Sequence, residues 1–301
     1  MKVETLAAID IGTNAIRLMI SNIEKQGRKE VFKKLALIRV PLRLGEDVFT
    51  KGHISEEKKN RLSEALVGFS HLMIAFDVMD YRACGTSALR EANNTDEVLE
   101  LVKSTSGIEI EVIPGLIEAD RIFKASQGKG IISGKKTYCY VDVGGGSTEL
   151  IIYKNGEMLS KDSFPLGTVR FLTGQVDKSA KQHFKLWLKE AYKKYKPDTI
   201  IGSGGNINKI HKLLNKRRNE CIEYDELVTL YEDMKPMSID ERMENYELNS
   251  YRADVILPAL RLFISVAKEC HVDKIMVPKV GLSDGIIYEL NKTRKNKELL
   301  E

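Results

Sequence analysis

The stretch VDVGGGSTEL, residues 141–150, decides how the rest of this chain is interpreted. An apolar strand ends near Asp142, three successive glycines follow at 144–146, and a second strand begins after Ser147. One glycine is enough for a turn, whereas three remove every side chain from the loop. A bare loop lets backbone N–H groups point at the oxygens of an anion, so the stretch predicts a phosphate-binding hairpin. The alternative is a glycine-rich hairpin in which the aspartate only stabilises the turn.

A second copy of this pattern lies 132 residues earlier in the chain. Without a gap, residues 9–12 (IDIG) align with 141–144 (VDVG), and 18–20 (LMI) align with 150–152 (LII). Chance similarity between a few apolar residues is the alternative. The shared Asp-x-Gly and the equal phase of both strands favour a duplicated domain with two such hairpins.

Length and composition describe an ordinary folded protein. Its 301 residues exceed what one hydrophobic core usually supports, so we expect two domains. Hydrophobic residues make up 43% and charged residues 30% of the chain, as in globular proteins generally. A net charge of +4 does not provide the strongly basic face of a dedicated nucleic-acid binder, so no nucleic-acid partner is expected.

Cysteine usage and the N-terminus indicate a cellular compartment. Cys84, Cys139, Cys221 and Cys270 are scattered and never form a Cys-x-x-Cys pair, which argues against a disulfide framework or a zinc site. The N-terminus lacks a signal-peptide pattern, and no apolar run reaches membrane-spanning length. We therefore expect a cytoplasmic protein without a membrane partner.

Strand-like and helical patterns alternate along the chain, which indicates an α/β fold. The composition shifts to Gly, Ser and Lys over 126–136, and we place a domain boundary there. We expect a first domain over 1–126 and a second over 127–285, with a closing helix over 286–301 that completes the first domain.

Two other patterns are predicted to be structural. A buried helix is expected over 253–270, with a kink at Pro258. Lysines cluster on one helix between Lys181 and Lys196, and a solvated charged face is the simpler interpretation of them.

The two loops supply candidate phosphate contacts. We expect the glycine N–H groups to hold phosphoryl oxygens, and neighbouring hydroxyl groups to add donors. The residues concerned are Gly12 in the first loop and Gly144, Gly145, Gly146, Ser147 and Thr148 in the second.

Three carboxylates flank the loops: Asp10, Asp142 and Glu149. They are hard oxygen ligands of the kind that Mg²⁺ (or Mn²⁺) accepts, usually through water, with phosphate completing the shell. Arg17 aligns with Glu149, and for Arg17 a buried structural role and a ligand contact are equally open.

These motifs resemble a known superfamily. DIGTNAIRLMI and VDVGGGSTELII are similar to the two phosphate loops of the actin, sugar-kinase and Hsp70 ATPase superfamily, and IGSGGNINKI (201–210) resembles its third glycine motif. More closely, nearly the whole chain resembles the exopolyphosphatase/guanosine pentaphosphate phosphatase (Ppx/GppA) family. Further stretches carry this resemblance: PLRLGEDV (41–48), CGTSALREA (84–92), VIPGLIEADRIF (112–123), PLGTVRF (165–171), RADVILPAL (252–260) and GLSDGI (281–286).

The resemblance implies a fold and an activity. The fold would be α/β, with two duplicated ribonuclease H-like (actin-like ATPase) domains and an interdomain cleft. The activity would be release of terminal phosphate from inorganic polyphosphate, or from guanosine pentaphosphate of the stringent response, by Mg²⁺-assisted in-line attack of water. It also implies a homodimer. Longer members have additional helical domains that extend a basic channel, so we expect this shorter form to prefer short polyphosphate chains or nucleotides.

The resemblance also assigns roles to individual residues. Glu118 would be the general base and Arg90 a contact to the phosphoryl group, while Thr13, Asn14, Gly204 and Gly205 would neighbour the phosphates or the nucleotide. Taken alone, Glu118 would be read as a solvated glutamate in a first helical turn, and Arg90 as a surface ion pair.

The chain departs from the family pattern at two motifs. Two successive glutamates are usual before Ala119, and here the pair is Ile117 and Glu118. The usual Arg-Glu-Gly near the C-terminus is Ser283-Asp284-Gly285, which removes a cation. Two alternatives therefore stay open: a small-molecule kinase of the same superfamily, and a sensor that binds guanosine tetra- or pentaphosphate or polyphosphate without hydrolysing it.

Overall fold

A computed structural model describes residues 3–27, 29–128, 130 and 136–298 of the chain. They form two compact units, each with its own sheet. Unit 1 comprises Met1–Ala125 and Leu282–Glu301, and unit 2 comprises Ser126–Gly281. The predicted boundary segment 126–136 and the end of the closing helix lie partly outside the described residues.

Unit 1 contains a five-stranded sheet with helices. Its elements are β1 (Glu4–Ile11), β2 (Ile16–Gln26), β3 (Lys29–Val40), α1 (Leu44–Lys51), α2 (Glu56–Ala75), β4 (Asp80–Gly85), α3 (Ser87–Glu91), α4 (Thr95–Ser106), β5 (Ile110–Val112), α5 (Gly115–Gly128, whose last residues belong to unit 2) and the closing helix α13 (Leu282–Glu298).

Unit 2 contains a six-stranded sheet with helices. Its elements are β6 (Thr137–Val143), β7 (Thr148–Lys154), β8 (Glu157–Phe164), α6 (Thr168–Leu172), α7 (Lys178–Tyr195), β9 (Thr199–Ser203), α8 (Gly205–Leu213), β10 (Ile222–Glu223), α9 (Tyr224–Met234), α10 (Ile239–Tyr246), α11 (Ser250–Ala253), α12 (Ile256–Glu269) and β11 (Lys274–Met276).

The two sheets share one topology. The strand order is β3-β2-β1-β4-β5 in unit 1 and β8-β7-β6-β9-β11 in unit 2, where β10 adds an antiparallel edge. In each sheet the first three strands are antiparallel, and the next two lie parallel to the first strand. The central strands β6 and β9 are buried at every position, as expected for apolar strands that are covered on both faces.

The β1–β2 and β6–β7 hairpins have the same cross-strand pairing. In β1–β2, Asp10 pairs with Arg17; in β6–β7, Asp142 pairs with Glu149, 132 positions later for both partners. The next strands also correspond, because Cys84 of β4 lies beside Asp10 and Ser203 of β9 lies beside Asp142. The repeat seen in the sequence is therefore a repeat of backbone pairing.

The predicted helix over 253–270 is wrong in one respect. The structure has a short α11 that ends at Ala253 and a separate α12 that begins at Ile256. Pro258 lies in the first turn of α12, where a backbone N–H has no helical partner to lose. The proline therefore fits the start of a helix and does not kink its interior.

The parallel strands place the candidate site residues. Their carboxyl ends meet at one edge of each sheet, where α/β proteins usually bind ligands. In unit 1 this edge carries residues 12–15 after β1, 86–90 after β4 and 113–118 after β5; in unit 2 it carries 144–147 after β6 and 204–205 after β9. None of the helices in the described part of the chain is long and apolar enough to cross a membrane.

Candidate active site

The turns after β1 and β6, here called loop 1 (residues 12–15) and loop 2 (residues 144–147), have the same internal bond. The N–H of Gly12 donates to the carbonyl of Ala15 at 3.2 Å, and the N–H of Gly144 donates to that of Ser147 at 2.9 Å. A Cβ on Gly12 would lie 3.0 Å from the Ala15 oxygen. The first glycine of each loop therefore closes the turn, and its N–H is not directed at a ligand as the sequence predicted.

The carbonyl groups of loop 2 are bound from one side. Gly144 O accepts from Thr168 N at 3.0 Å, and Gly145 O accepts from Val169 N at 2.8 Å, both in the first turn of α6. In a trans peptide the next N–H points away from the C=O, so the N–H groups of Gly145 and Gly146 point away from α6. Within the residues that the structure describes, these two N–H groups have no protein acceptor. They form a donor pair suited to an anion.

Loop 1 is supported in a similar way by the start of α1. Thr13 O accepts from Gly45 N at 3.0 Å, and Asn14 O accepts from Arg43 N at 3.1 Å. The predicted phosphate neighbours Thr13 and Asn14 therefore lie in a loop whose carbonyls face α1.

Two glycines outside the loops make this support possible, and no role was predicted for them from the sequence. A Cβ on Gly45 would lie 2.2 Å from the Thr13 methyl group, and one on Gly167 would lie 2.2 Å from the Gly145 oxygen. Pro-Leu precedes both, at 41–42 and 165–166, with the glycine directly after it in unit 2 and two residues further on in unit 1. That repeat could have identified the two supporting segments, although not the glycines themselves.

Unit 2 brings two of the predicted metal ligands together. Asp142 and Glu149 are cross-strand partners, so their side chains project from the same face of the sheet. Both are buried, at 6% and 3% exposure. Carboxylate oxygens are the ligands that Mg²⁺ prefers, so the pair offers donors of the right kind for a divalent cation.

The hydroxyl groups of loop 2 support the structure. Ser147 Oγ and Ser163 Oγ donate to Glu149 Oε1 at 2.6 and 2.9 Å. Thr148 is fully buried and its hydroxyl donates to Leu166 O at 2.6 Å. The sequence predicted Ser147 and Thr148 as phosphate donors; in this structure one orients Glu149 and the other fastens β7 to the segment before α6.

The equivalent pair in unit 1 is a salt bridge. Arg17 Nη1 lies 2.5 Å from Asp10 Oδ2, and the carboxylate is buried while the arginine is partly exposed. The open question about Arg17 is thus answered: it is the cross-strand partner of Asp10. Asp10, predicted as a metal ligand, is already paired with a cationic side chain, whereas the corresponding position of the unit 2 hairpin pairs two carboxylates.

The carboxylate oxygens of Asp142 and Glu149 are suited to Mg²⁺ or Mn²⁺ that binds together with substrate. Among the described residues there is no group of three or more His, Cys, Asp or Glu side chains that could hold a metal. A pair of carboxylates suits Mg²⁺, which typically binds one or two carboxylates and completes its shell with water and phosphate.

Gly204 lies directly against this carboxylate pair. Its φ is 100°, and a Cβ there would lie 3.0 Å from Asp142 Oδ1 and 2.9 Å from Val143 O. Only glycine suits that backbone conformation and that contact. Gly204 is also the N-cap of α8, which begins at Gly205 without a side-chain cap. A helix N-terminus favours an anion, and both predicted glycines lie at the N-terminus of α8.

An arginine holds the first turn of α8. Arg252 Nη1 donates to Asn206 Oδ1 at 2.5 Å, and Asn206 is buried. Arg252 is the first residue of the RADVILPAL stretch. Its contact with Asn206 holds α8, whose N-terminus faces Asp142.

In unit 1, Arg90 and Glu118 lie at the carboxyl edge of the sheet. Arg90 Nη1 donates to Ile113 O at 2.8 Å, and Glu118 N donates to Pro114 O at 3.1 Å in the first turn of α5. Glu118 is half-buried, whereas Ile117 is 41% exposed. Arg90 therefore holds the turn that precedes Glu118, a contact that the sequence did not indicate.

A buried arginine that the sequence analysis did not single out fastens α5. Arg121 lies one turn after Glu118; its Nη1 contacts Cys84 Sγ at 3.2 Å, and its Nε lies 2.6 Å from Glu289 Oε2 on α13. Its Nη2 donates to Glu111 Oε1 at 3.3 Å. Burial raises the pKa of the Cys84 thiol to about 12. For Arg121 burial acts to lower the pKa, but the carboxylates of Glu289 and Glu111 raise it overall.

Gly285, the one residue of Ser283-Asp284-Gly285 that agrees with the usual Arg-Glu-Gly, has a packing explanation. A Cβ on Gly285 would lie 2.8 Å from the backbone of Arg121. Helices α5 and α13 therefore approach backbone to backbone at this point. Any side chain at 285 would push α5, and Glu118 with it, away from α13.

Comparison with known proteins agrees with these features. The model of the Ppx/GppA phosphatase family matches residues 19–294. A putative exopolyphosphatase of Haemophilus influenzae is 26% identical over 304 residues, which cover 96% of this chain and 92% of that protein. A guanosine-5'-triphosphate,3'-diphosphate pyrophosphatase of Vibrio parahaemolyticus is 28% identical over 306 residues. The match covers 96% of this chain but only 60% of that enzyme, so the chain spans about three fifths of such relatives.

Solved structures show the same fold. The crystal structure of the Aquifex aeolicus member of the Ppx/GppA family has a TM-score of 0.79 at 26% identity, and the match covers 97% of this chain and 99% of that chain. An exopolyphosphatase from Cytophaga hutchinsonii has a TM-score of 0.83 at 24% identity, covering 95% and 97%, which is informative for the fold alone. The expected class, α/β with two duplicated domains of the actin-like ATPase type, is confirmed.

Proposed function

Because the chain belongs to the Ppx/GppA phosphatase family, we propose that it hydrolyses the terminal phosphoanhydride bond of inorganic polyphosphate or of guanosine pentaphosphate. The relatives named above include a putative exopolyphosphatase and a pyrophosphatase that acts on a guanosine derivative. The observation that carries the proposal is the buried pair Asp142–Glu149 next to loop 2. Carboxylate oxygens and N–H donors at one edge suit a metal–phosphate complex better than either ion alone.

Loop 2 would hold the terminal phosphoryl group. The N–H groups of Gly145 and Gly146 point away from α6, and they can donate to the oxygens of the phosphoryl group. The N-terminus of α8 at Gly204 and Gly205 would bind a neighbouring phosphate. Loop 1, with Thr13 and Asn14, is the equivalent loop of unit 1 and is assigned the same type of contact.

Asp142 and Glu149 would hold Mg²⁺, and the hydrogen bonds from Ser147 and Ser163 fix the orientation of Glu149. When bound, the ion would neutralise charge on the phosphoryl oxygens, which is the main requirement of phosphoryl transfer. The salt bridge to Arg17 makes Asp10 a weaker candidate for direct coordination.

Glu118 would accept a proton from the attacking water. A carboxylate can act as a general base when it lies within hydrogen-bond reach of the water, typically contributing about 10²–10⁴-fold to the rate. Arg90 would stabilise charge on the phosphoryl group. Its guanidinium has five N–H donors, so the bond to Ile113 O leaves capacity for phosphate oxygens.

The test is phosphate release from a panel of substrates: tripolyphosphate, long polyphosphate, guanosine pentaphosphate and ATP, each with Mg²⁺ and with a chelator. We expect Mg²⁺-dependent release from at least one of the first three. If none releases phosphate while a guanosine pentaphosphate analogue binds tightly, the protein is a sensor and the proposal fails. ADP formation only when a small acceptor is added would instead indicate a kinase.

The chain-length preference, the homodimer and the cytoplasmic location stay predictions. The panel tests the preference for short chains, and light scattering of the purified protein tests the expected homodimer. A cytoplasmic location is likewise an expectation and is tested by cell fractionation.

A further inference from the structure

Four polar side chains form a row across the unit 2 sheet at the loop 2 edge. Each is the cross-strand partner of the next: Ser163 on β8, Glu149 on β7, Asp142 on β6 and Ser203 on β9. Residues that lie opposite each other on paired strands project from the same face of a sheet, so all four side chains share one face. In this set, here called the polar row, one serine lies on each side of the carboxylate pair.

The two serines of the polar row differ in their hydrogen bonds. Ser163 Oγ donates to Glu149 Oε1 at 2.9 Å, which gives its position a structural reason. Ser203 is only 1% exposed, and its Oγ has no hydrogen-bond partner in the part of the chain that the structure describes. Most buried side-chain polar atoms have a partner, because an unpaired buried hydroxyl destabilises the folded state. The hydroxyl of Ser203 therefore needs an explanation other than a bond within the protein.

Packing does not supply that explanation. Ile201, two residues before Ser203 and on the same face of β9, is fully buried, and Ile200 belongs to the core on the other face. An alanine at position 203 would suit such a strand and would leave no unpaired oxygen. A serine here thus costs stability unless something binds to its oxygen.

The carboxylate of Asp142 lies beside this end of β9. A Cβ on Gly204, the residue after Ser203, would lie 3.0 Å from Asp142 Oδ1. The side chain of Ser203 itself projects from the same face as Asp142, its partner on β6. Asp142 and Glu149 are also buried, so one buried edge of the sheet carries all three side chains.

A hydroxyl oxygen beside carboxylates is a suitable ligand for a hard cation. Mg²⁺ and Mn²⁺ prefer oxygen donors. In P-loop NTPases the Mg²⁺ ion that accompanies the phosphates is held by a serine or threonine hydroxyl together with an aspartate. Asp142, Glu149 and Ser203 offer donors of the same kinds from three adjacent strands. Because a hydroxyl is neutral, it adds a ligand without a further negative charge that would repel phosphate.

We propose that Ser203 Oγ is a ligand, together with Asp142 and Glu149, of the divalent cation used in phosphoanhydride hydrolysis. This rests on the proposed function, because it adds a third protein oxygen to the metal site of that reaction. Two observations carry it: the pairing of Ser203 with Asp142, and the lack of a partner for the buried hydroxyl among the described residues. A contact from the hydroxyl to phosphate, and a purely structural serine, are the alternatives that the test separates.

The first test is calorimetric titration of the protein with Mn²⁺, with and without inorganic phosphate. The variant is Ser203→Ala. Its matched control is Ser21→Ala, which removes the hydroxyl of another buried strand serine, on β2 of unit 1. Ser203→Ala should bind Mn²⁺ at least about tenfold more weakly than the wild type, since even the loss of a group that only supports a metal ligand typically has this effect. The control should bind it normally. Equal affinity of Ser203→Ala and the wild type, or no binding by the wild type in either condition, would overturn the proposal.

Thermal unfolding adds a result that a structural serine would not give. Without metal, Ser203→Ala should be at least as stable as the wild type, because the substitution removes an unpaired buried oxygen. At one fixed Mn²⁺ concentration it should gain less stability than the wild type, because the ion binds its folded state more weakly. A variant that is less stable without metal and gains as much from Mn²⁺ as the wild type would show a structural hydroxyl and contradict the proposal.

Ser203→Cys separates direct coordination from a contact to phosphate. A thiol is a poor ligand for Mg²⁺ and a good one for the soft ion Cd²⁺. The folded variant should therefore bind Mg²⁺ more weakly and Cd²⁺ more tightly than its control Ser21→Cys, and the absorption of a Cd²⁺–thiolate bond should appear. Unchanged Cd²⁺ affinity would overturn the proposal. If inorganic phosphate then binds more weakly as well, the hydroxyl contacts phosphate instead.

Hydrolysis separates this proposal from the proposed function. In an active enzyme, Ser203→Ala should need a higher Mg²⁺ concentration than the wild type for its half-maximal rate. If the wild type releases phosphate and Ser203→Ala binds Mn²⁺ as tightly as the wild type, the proposal fails and the proposed function stands. If the wild type releases no phosphate from any substrate of the panel, the proposed function fails, and the Mn²⁺ titration still decides whether Ser203 is a ligand.

Discussion

Asp142 and Glu149 face each other across the β6–β7 ladder, at the position where β1 and β2 pair Asp10 with Arg17. One position of a duplicated hairpin thus holds a salt bridge in unit 1 and two buried carboxylates in unit 2. The backbone pairing is the same in both hairpins, while glutamate at the position of the arginine replaces an ion pair with two carboxylates.

That difference predicts that Glu149→Gln weakens metal binding, because the substitution removes one of two carboxylate ligands that suit Mg²⁺. The stabilisation that saturating Mg²⁺ gives the wild type should disappear. Thermal unfolding with and without Mg²⁺ measures it. If Mg²⁺ stabilises Glu149→Gln as much as the wild type, this pair does not hold the ion.

Gly167 should be irreplaceable because loop 2 lies against it. Gly167→Ala would place a Cβ 2.2 Å from the Gly145 oxygen, which should cost about 1–3 kcal/mol of stability and displace the loop. A displacement of about 1 Å can lower kcat by about 10²-fold. The control is Gly68→Ala in α2, where a Cβ has no atom within 4 Å. It should stabilise the protein by about 0.5–1 kcal/mol with unchanged activity. Full activity of Gly167→Ala would contradict the assigned role of loop 2.

Arg121 should position Glu118 without contacting substrate. Arg121→Met removes the links from α5 to Cys84 and Glu289, so kcat should fall about tenfold or more while KM changes little. The control is Lys124→Met, which changes an exposed lysine one turn further along α5. If loss of the buried charge unfolds the protein, Arg121→Met combined with Glu289→Gln relieves the unpaired carboxylate. Unchanged kcat in the folded double variant would refute the positioning role.

Cys84 predicts how stability depends on pH. Burial favours the neutral thiol and raises its pKa from 9.0 to about 12 in the folded state. The contribution of the neutral Cys84 thiol to the free energy of unfolding is complete below about pH 9. It is lost as pH rises toward 12, because in this range only the unfolded chain releases the proton. The slope should be about 1.4 kcal/mol per pH unit. Unfolding of wild type and Cys84→Ala between pH 8 and about 10.5 measures it. A constant difference between the two would contradict the raised pKa.

The sequence predicted the repeat, the two loops and the unit 2 carboxylates, because an offset of 132 residues and Asp-x-Gly are local patterns. It did not predict that Gly12 closes its own turn, since that depends on the carbonyl of Ala15. The role of Gly167 depends on a contact with a loop about 20 residues away, and the role of Arg121 on groups in β4, β5 and α13. Such long-range contacts leave no periodic signal in a single sequence.

The measurement that tests the central claim most directly is single-turnover phosphate release by Glu118→Gln with Mg²⁺ and the best substrate of the panel. Glu57→Gln, which changes an exposed glutamate in the first turn of α2, is the matched control. The account predicts that Glu118→Gln binds substrate normally and releases phosphate about 10²–10⁴-fold more slowly, while Glu57→Gln behaves as wild type. Release by Glu118→Gln at the wild-type rate would contradict the account.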